Sequence, residues 1–332
     1  MAEYNLYNRR WQLLVNNGEQ ELTWEGFKPG ASKGLSLDFK ITKTSDTTPN
    51  DAEINIINLS PEHQDFVTEK GLGLTFLAGY RESFGQIFKG GTEMPNHERS
   101  GGDWVTTLYA KDGGTALKQA FISKSFKKDA PIETVINALI KELTLPPKME
   151  ARLKELNQIA KGTIKTELVT RAAQRLLEPR KHKQSKPESL EEAKQRIYKQ
   201  KAEAEARAEQ VKLLKDMVLK GKVWRALDLI AGDYGLSFYV TDQIAYLTAA
   251  DVPISDQVIL VSPLSGLLGS PGRTEMGWKF RSLLRHEFNP GMPVYLDSQK
   301  TAGLFVIRKV EHSGNTNSNE WYSDCEVTPL AA

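Results

Sequence analysis

In the stretch LSLDFKITKT, Leu35, Leu37, Phe39 and Ile41 alternate strictly with Ser36, Asp38, Lys40 and Thr42. That is the period-two pattern of a strand with one face against a core. The same reading applies to Trp11, Leu13 and Val15, to Ala52, Ile54 and Ile56, to Leu74, Phe76 and Ala78, and to Trp104, Thr106 and Leu108. Among these, Ser60 followed by Pro61 predicts an N-cap with proline at the first helical position, and Gly71 supplies a left-handed stop. Residues 1–115 are therefore expected to form a small β-barrel or sandwich carrying one short helix.

After Gly113 and Gly114 the period changes. Ile132, Val135, Ile136, Leu139, Ile140 and Leu143 recur at helical spacing behind Asp129 and Pro131, and Pro146 with Pro147 ends the run. A second amphipathic helix is predicted at VWRALDLIAGDYG, with Trp224, Leu227, Ile230 and Ala231 on one face. Two short strands follow, LSFYV and IAYLT, around a turn at Asp242 and Gln243. Residues 116–147 and 217–255 together read as a small α+β domain whose sequence is interrupted.

The interruption, 148–216, is compositionally foreign: almost free of aromatics and rich in Ala, Lys, Arg, Glu and Gln. Leu153, Leu156 and Ile159, then Ile164, Leu168, Leu176 and Leu177, give two modest helical faces before a charged break at Pro179 to Pro187. Ser189 to Leu219 reads as one long helix whose thin seam is Ile197, Ala204, Ala208, Val211, Leu214 and Val218. From about Asp256 short strands return: Val258 to Val261, Trp278 to Leu283, Pro293 to Leu296, Leu304 to Val310 and Trp321 to Val327. Gly269, Gly277, Gly291, Gly303 and Gly314 punctuate them as turn glycines would, and predict a second small barrel over 256–332. The fold class is thus α+β, mainly β: two small β-barrels, a small α+β domain between them, and a charged helical insertion.

Charge changes this picture only locally. The chain of 332 residues has a formal net charge of +2, which gives no general argument for a nucleic acid or an acidic membrane. Extended to Lys222, however, the insertion holds about 20 basic against about 11 acidic residues, which leaves the rest of the chain net acidic. Arg180, Lys181, Lys183 and Lys186 make it a partner-contacting arm, or alternatively a phosphate-binding one. Nucleic-acid grips usually interleave aromatics or present a recognition helix, and neither is present, so no specific nucleic acid is expected.

Catalytic chemistry finds little support. Cys325 is the single cysteine, which excludes an intramolecular disulfide and a thiolate cluster within the chain. His63, His97, His182, His286 and His312 stand singly, without a second ligand at metal spacing. Ser265 and Ser270 lack the strand-turn-helix setting of a nucleophile elbow and read as turn serines. Gly90 with Gly91, Gly101 with Gly102 and Gly113 with Gly114 open no phosphate-binding helix and read as hairpin glycines. No cofactor is expected. Carboxylates are plentiful, so a peptidoglycan hydrolase stays open as an alternative. Trp11, Trp24, Trp104, Trp224, Trp278 and Trp321 lie within strand or helix patterns, and core packing is expected for each. There is no secretory signal and no apolar run near the ~20 residues that cross a bilayer. A soluble protein made in the cytoplasm, without a membrane anchor, is the expectation.

The passages GLLGSPGRTEMGWKFRSLLRHEFNPG and FVIRKVEHSGNTNSNEWYSDCEV resemble the end of the baseplate hub proteins of contractile-tailed bacteriophages. The resemblance rests on a Gly-x-Pro turn (Gly269, Pro271), a strand ending in a Leu pair (Leu283, Leu284), a Pro-Gly before another strand (Pro290, Gly291), and a closing His-Ser-Gly element before a tryptophan (His312, Gly314, Trp321). DTTPNDAEINIINLSPE, KDGGTALKQAFISKSFKKDAPIETVINALI and LKGKVWRALDLIAGDYGLSFYV are similar to the same family, in the same order. Asn315 stands where an aspartate is common, RHEFNPG is less regular than the usual turn, and the insertion is not part of the family pattern.

The resemblance implies barrels like those of the tail tube and a homotrimer in the virion baseplate, assembled in the host cytoplasm. Three chains would present six similar domains and adapt a sixfold tube to a threefold spike. Implied partners are the central spike protein and a tail tube or tube-initiator protein. The tape measure protein and other baseplate proteins are candidates for the insertion. The implied role is structural, not enzymatic.

Overall fold

A computed structural model of the chain describes residues 8–27, 35–113, 120–130, 132–142, 216–234, 236–249, 253–255 and 257–330, with Glu192 and Gln195 as isolated positions. Arg180, Lys181, Lys183 and Lys186 lie outside the described residues, as do most of the insertion's expected helices.

Strands β1 (Arg9–Asn16), β2 (Glu21–Phe27), β3 (Ser36–Thr44) and β4 (Asp51–Ile57) precede helix α1 (Pro61–Val67). Strands β5 (Gly73–Tyr80), β6 (Phe84–Thr92), β7 (Asn96–Ser100) and β8 (Asp103–Lys111) follow it. The alternating residues of β1, β3, β4 and β5 are buried as their pattern predicts, and enter one apolar core. Phe39 of β3 and Phe76 of β5 are separated by three strands in the sheet order, yet their rings meet edge-on at 4.8 Å. The sheet therefore curls round its own core as a barrel does. Ser60 caps α1, its hydroxyl accepting from the His63 amide. Gly71, expected as the stop, lies beyond the actual C-cap, Thr68, and opens the turn into β5 instead.

Strand β9 (Phe121–Phe126), helix α2 (Ile132–Glu142), strand β10 (Met217–Lys222), helix α3 (Val223–Tyr234), and strands β11 (Leu236–Thr241) and β12 (Ile244–Ala249) form the small α+β part. Val135 and Leu139 of α2 pack with Leu227 and Ile230 of α3 in a separate core. The long helix expected to reach Leu219 does not. Met217 to Lys222 pair with β9 instead, and Val218, expected in a helical seam, is 76% exposed. Ladder bonds to β9 there outweigh helix propensity.

Strands β13 (Ile259–Val261), β14 (Leu267–Arg273), β15 (Trp278–Leu283), β16 (Pro293–Asp297), β17 (Ala302–Asn315) and β18 (Trp321–Pro329) build the second barrel round its own core. Three glycine expectations change. Gly269 and Pro271 form no simple turn but lie in a bulge of β14, while Gly303 and Gly314 sit inside β17. In the first barrel Gly90 and Gly91 lie inside β6, where a Cβ on Gly90 would come within 2.5 Å of the Lys111 carbonyl oxygen. Trp104 is 49% exposed, against the core role expected of every tryptophan.

The two barrels are not merely tethered. Strand β17 pairs with β16 from Ala302 to Val306 and with β3 of the first barrel from Lys309 to Asn315. The register of β17 against β18 shifts between Ile307 and Lys309, where β17 passes from one neighbour to the other. A bulge bends a strand and increases its twist, which lets one continuous strand serve two curled sheets. The resulting strand order runs β14-β15-β18-β17-β3-β4-β8-β6-β5-β1-β2.

Candidate functional site

Three strands of the first barrel end in polar residues that keep the buried phase of their apolar neighbours. Lys43 follows Leu37, Phe39 and Ile41 in β3, Asn50 precedes Ala52 and Ile54 of β4, and Asp112 follows Leu108 and Ala110 of β8. All three are buried. A buried charge is costly unless paired and hydrogen-bonded, so their partners define the site.

Those partners come from the other two parts of the molecule. Lys43 Nζ donates to Asp242 Oδ2 at 2.7 Å and to Asn289 Oδ1 at 2.8 Å. Asp242 occupies the β11–β12 turn, where it and Gln243 both adopt left-handed backbone with φ of 55° and 66°, a conformation L-residues with side chains adopt reluctantly. Its own contacts hold it there: Oδ1 accepts from the Lys89 amide, and its amide donates to Asp112 Oδ2 at 3.0 Å. Asp112 also accepts from the Asn50 amide and from Asn50 Nδ2, which donates in addition to the Val240 carbonyl. Tyr239 donates to the Pro290 carbonyl, and a Cβ on Gly291 would come within 2.5 Å of the Tyr239 hydroxyl. First barrel, small domain and second barrel thus meet in one buried polar cluster.

A second cluster locks barrel to barrel. Trp321 belongs to β18, but its ring lies in the first barrel's core, edge-on to Phe39 at 5.2 Å, and Nε1 donates to the Gly79 carbonyl at 3.2 Å. Leu284 enters the same core, and its amide donates to the Trp321 carbonyl. Gly314 is required here, because a Cβ would sit 2.5 Å from Phe39 and 2.6 Å from Trp321. Nearby, Arg9 donates to the carbonyls of Ser318 and Asn319.

His312 lies beneath both clusters. Its Nε2 faces the Phe288 carbonyl, which can only accept, so the proton is on Nε2 and Nδ1 accepts from Ser323 Oγ at 2.9 Å. Burial, then the Lys43 charge, lowers its pKa to about 3. Asp112 moves the other way: burial pushes it up to about 7 against the opposing Asn50 hydrogen bonds, with the Asp242 charge adding to the rise.

These shifts fix a pH dependence. The stability that His312 contributes is lost as pH falls from its ordinary 6.5 towards about 3, and that of Asp112 as pH rises from 3.8 through about 7. The two slopes oppose each other between about 4 and 6.5. Replacing Asp112 by Asn should isolate one of them: the stability difference, wild type minus Asp112→Asn, is expected to fall with pH across roughly 4 to 7 in urea unfolding. A difference independent of pH over that range would contradict the assignment.

Of the nine residues singled out by resemblance, Leu284, Pro290, Gly291, His312, Gly314 and Trp321 are drawn together at these two clusters. Leu283 closes β15 beside them, and Gly269 and Pro271 stand apart in the β14 bulge. Lys43, Asn50, Asp112 and Asn289 went unnoticed in the sequence and Asp242 was read only as a turn residue, although a polar residue in the buried phase of a strand was a readable signal for the first three. Among the described residues no group of three His, Cys, Asp or Glu is placed to hold a metal ion. Cys325 is buried, and burial raises its thiol pKa well above the ordinary value. The arrangement fixes bodies relative to one another.

No protein-family model matches the sequence, and no curated protein matches it. Among solved structures, the 43 kDa tail protein of prophage MuSo2 from Shewanella oneidensis is similar over 96% of this chain and 97% of that one, with a TM-score of 0.51 and 8% identity. The tail protein from Neisseria meningitidis is similar over 96% of each chain, with a TM-score of 0.51 and 12% identity. The fold of this chain is the fold of those tail proteins.

Proposed function

We propose that the chain is a structural protein of a contractile phage tail, a trimeric baseplate hub that joins the sixfold tail tube to the threefold central spike. The observation that carries this reading is the sharing of β17 between the two barrels, reinforced by the buried Lys43–Asp242–Asn289 and Trp321–Gly79 contacts. Two like units held at one fixed relation are what a threefold ring needs to present six similar positions. Flexible tethering would not transmit force from tube to spike. The shared fold with tail proteins supports the same reading.

In this reading the partners are two further copies of the chain, the spike protein below and a tail tube or tube-initiator protein above. The segment 148–216 is left for the tape measure or other baseplate proteins. The protein acts by assembly and has no enzymatic activity of its own.

The test is the native mass of the full chain co-purified with its candidate spike protein. A complex with three copies of each is the expected result. A stable monomer that ignores the spike would overturn the hub reading, and loss of turbidity in a peptidoglycan suspension would point to the hydrolase instead.

A further inference from the structure

The three parts of the molecule are joined in two different ways. The barrels exchange strand and core: β17 pairs with β3, and Trp321 and Leu284 lie in the first barrel's core. The small α+β part exchanges neither. Among the described residues none of its side chains enters the apolar core of either barrel, and no barrel residue enters its own. Its ladders, β9 with β10 and β11 with β12, are likewise internal to it.

Polar atoms hold it to the barrels, and they are gathered at the tip of the β11–β12 hairpin. Asn50 Nδ2 donates to the Val240 carbonyl and the Thr241 hydroxyl. The Lys89 amide and Lys43 Nζ donate to the Asp242 carboxylate, and the Asp242 amide donates to Asp112. Beside this tip, Tyr239 and Ile254 rest on Gly291, whose carbonyl accepts from the Ile254 amide. Tyr239 has a further aromatic partner within its own hairpin, since its ring stacks on Tyr246 at 5.2 Å.

The two kinds of joint differ in what water can replace. Opening the barrel joint exposes apolar side chains, and water offers nothing in exchange. Withdrawing the hairpin trades protein hydrogen bonds for water ones at a small net cost per bond, and returns hydration to Lys43, Asp242 and Asp112 together. Parting both members of an ion pair into water is unlike deleting one, which leaves the other buried and alone.

We propose that the small α+β part is a detachable body. The β11–β12 turn is a plug that withdraws from its polar seat, while the shared β17 keeps the barrels together. Openings of lower free energy than global unfolding follow boundaries between such cooperative units. The segment 148–216 is inserted between α2 and β10 of this body, and so moves with it. A partner that binds the segment in only one of the two positions shifts the docking equilibrium, and docking changes that partner's affinity by the same factor. The motion lies within one chain and is independent of whether the chain forms a ring.

The experiment measures distances between pairs of spin labels on the full chain. Cys325 is buried, so introduced cysteines carry the labels. Met94 in the first barrel, Leu264 in the second and Val218 in the small part are all exposed. Val218→Cys with Met94→Cys reads the small part against a barrel, and Met94→Cys with Leu264→Cys reads barrel against barrel. Asp242→Asn removes the charge that Lys43 holds. It should give the first pair a second, broader distance whose population exceeds that of the wild type on the order of tenfold, and leave the second pair unchanged. Amide exchange in the same variant should keep β9, β10, β11 and β12 protected, as befits a body moved intact. The wild type in urea below its unfolding midpoint should show the same broad component growing, whether or not the variant folds. A first pair that keeps one distance in the wild type throughout this urea range would overturn the proposal. Loss of ladder protection together with the distance change would also overturn it, because the small part would then be melting. A change in the barrel-to-barrel distance would place the weak joint at β17 and overturn it likewise.

Discussion

Replacing Lys43 by methionine is expected to destabilise the chain by about 3–5 kcal/mol, because it removes one partner of a buried ion pair and leaves the other behind. Lys43 is fully buried, and among the described residues its ammonium is the only cation bonded to Asp242, whose amide in turn bonds Asp112. Methionine fills most of the volume, so packing loss is a minor part of the effect. What remains is a pair of neighbouring carboxylates with no compensating charge. Asp242→Asn in the same chain should return much of the loss, giving a coupling of about 1 kcal/mol or more in a double-mutant cycle.

The pH dependence of that loss identifies its cause. Without Lys43, protonating Asp112 relieves repulsion, so the deficit should be largest above about pH 7 and shrink in acid. His312, which the Lys43 charge helps to keep neutral, should titrate at higher pH in the variant. Its ring proton shifts in NMR would report this directly. A deficit under 1 kcal/mol, or one that does not change with pH, would show that the cluster is not held by this ion pair.

Strands with one face on a core were legible because their period is exact in the residues themselves: Leu35 to Ile41 could hardly be read otherwise. Strands β6, β7 and β14 were not, for a physical reason in each case. Glycine interrupts the alternation of FGQIFKGGT in β6, NHERS in β7 has no buried apolar residue, and the β14 bulge breaks the register of LLGSPGR. Val218 misled because its spacing suits a helix, while the decisive bonds to β9 come from a segment almost a hundred residues earlier in the chain.

The candidate site was half legible. Resemblance pointed to Pro290, Gly291, His312, Gly314 and Trp321 without a reason for them. The structure supplies one, in that each touches the joint between bodies. Lys43, Asn50 and Asp112 could have been suspected from their phase, but Asp242 and Asn289 could not, since a turn residue far away in sequence carries no mark of the lysine it meets. Sequence alone also places no strand of the second barrel against the first, so the sharing of β17 was out of reach.

That sharing makes Trp321 the second critical position. Trp321→Ala should cost about 3–5 kcal/mol, the usual range for a buried tryptophan, but the informative comparison is with Trp321→Phe. Phenylalanine keeps most of the edge-on contact with Phe39 and loses the bond to the Gly79 carbonyl, for about 1–3 kcal/mol. If Trp321 is the bolt between barrels, the alanine variant should open the joint before the bodies unfold. Amide exchange should then accelerate along Lys309 to Asn315 and along β3, where the two barrels share their ladder. Protection of β16 and the first half of β17, which pair within the second barrel, should persist. Uniform acceleration through both barrels would mean that they form one cooperative unit in which Trp321 is ordinary core, and the joint would have to be sought at Lys43 alone.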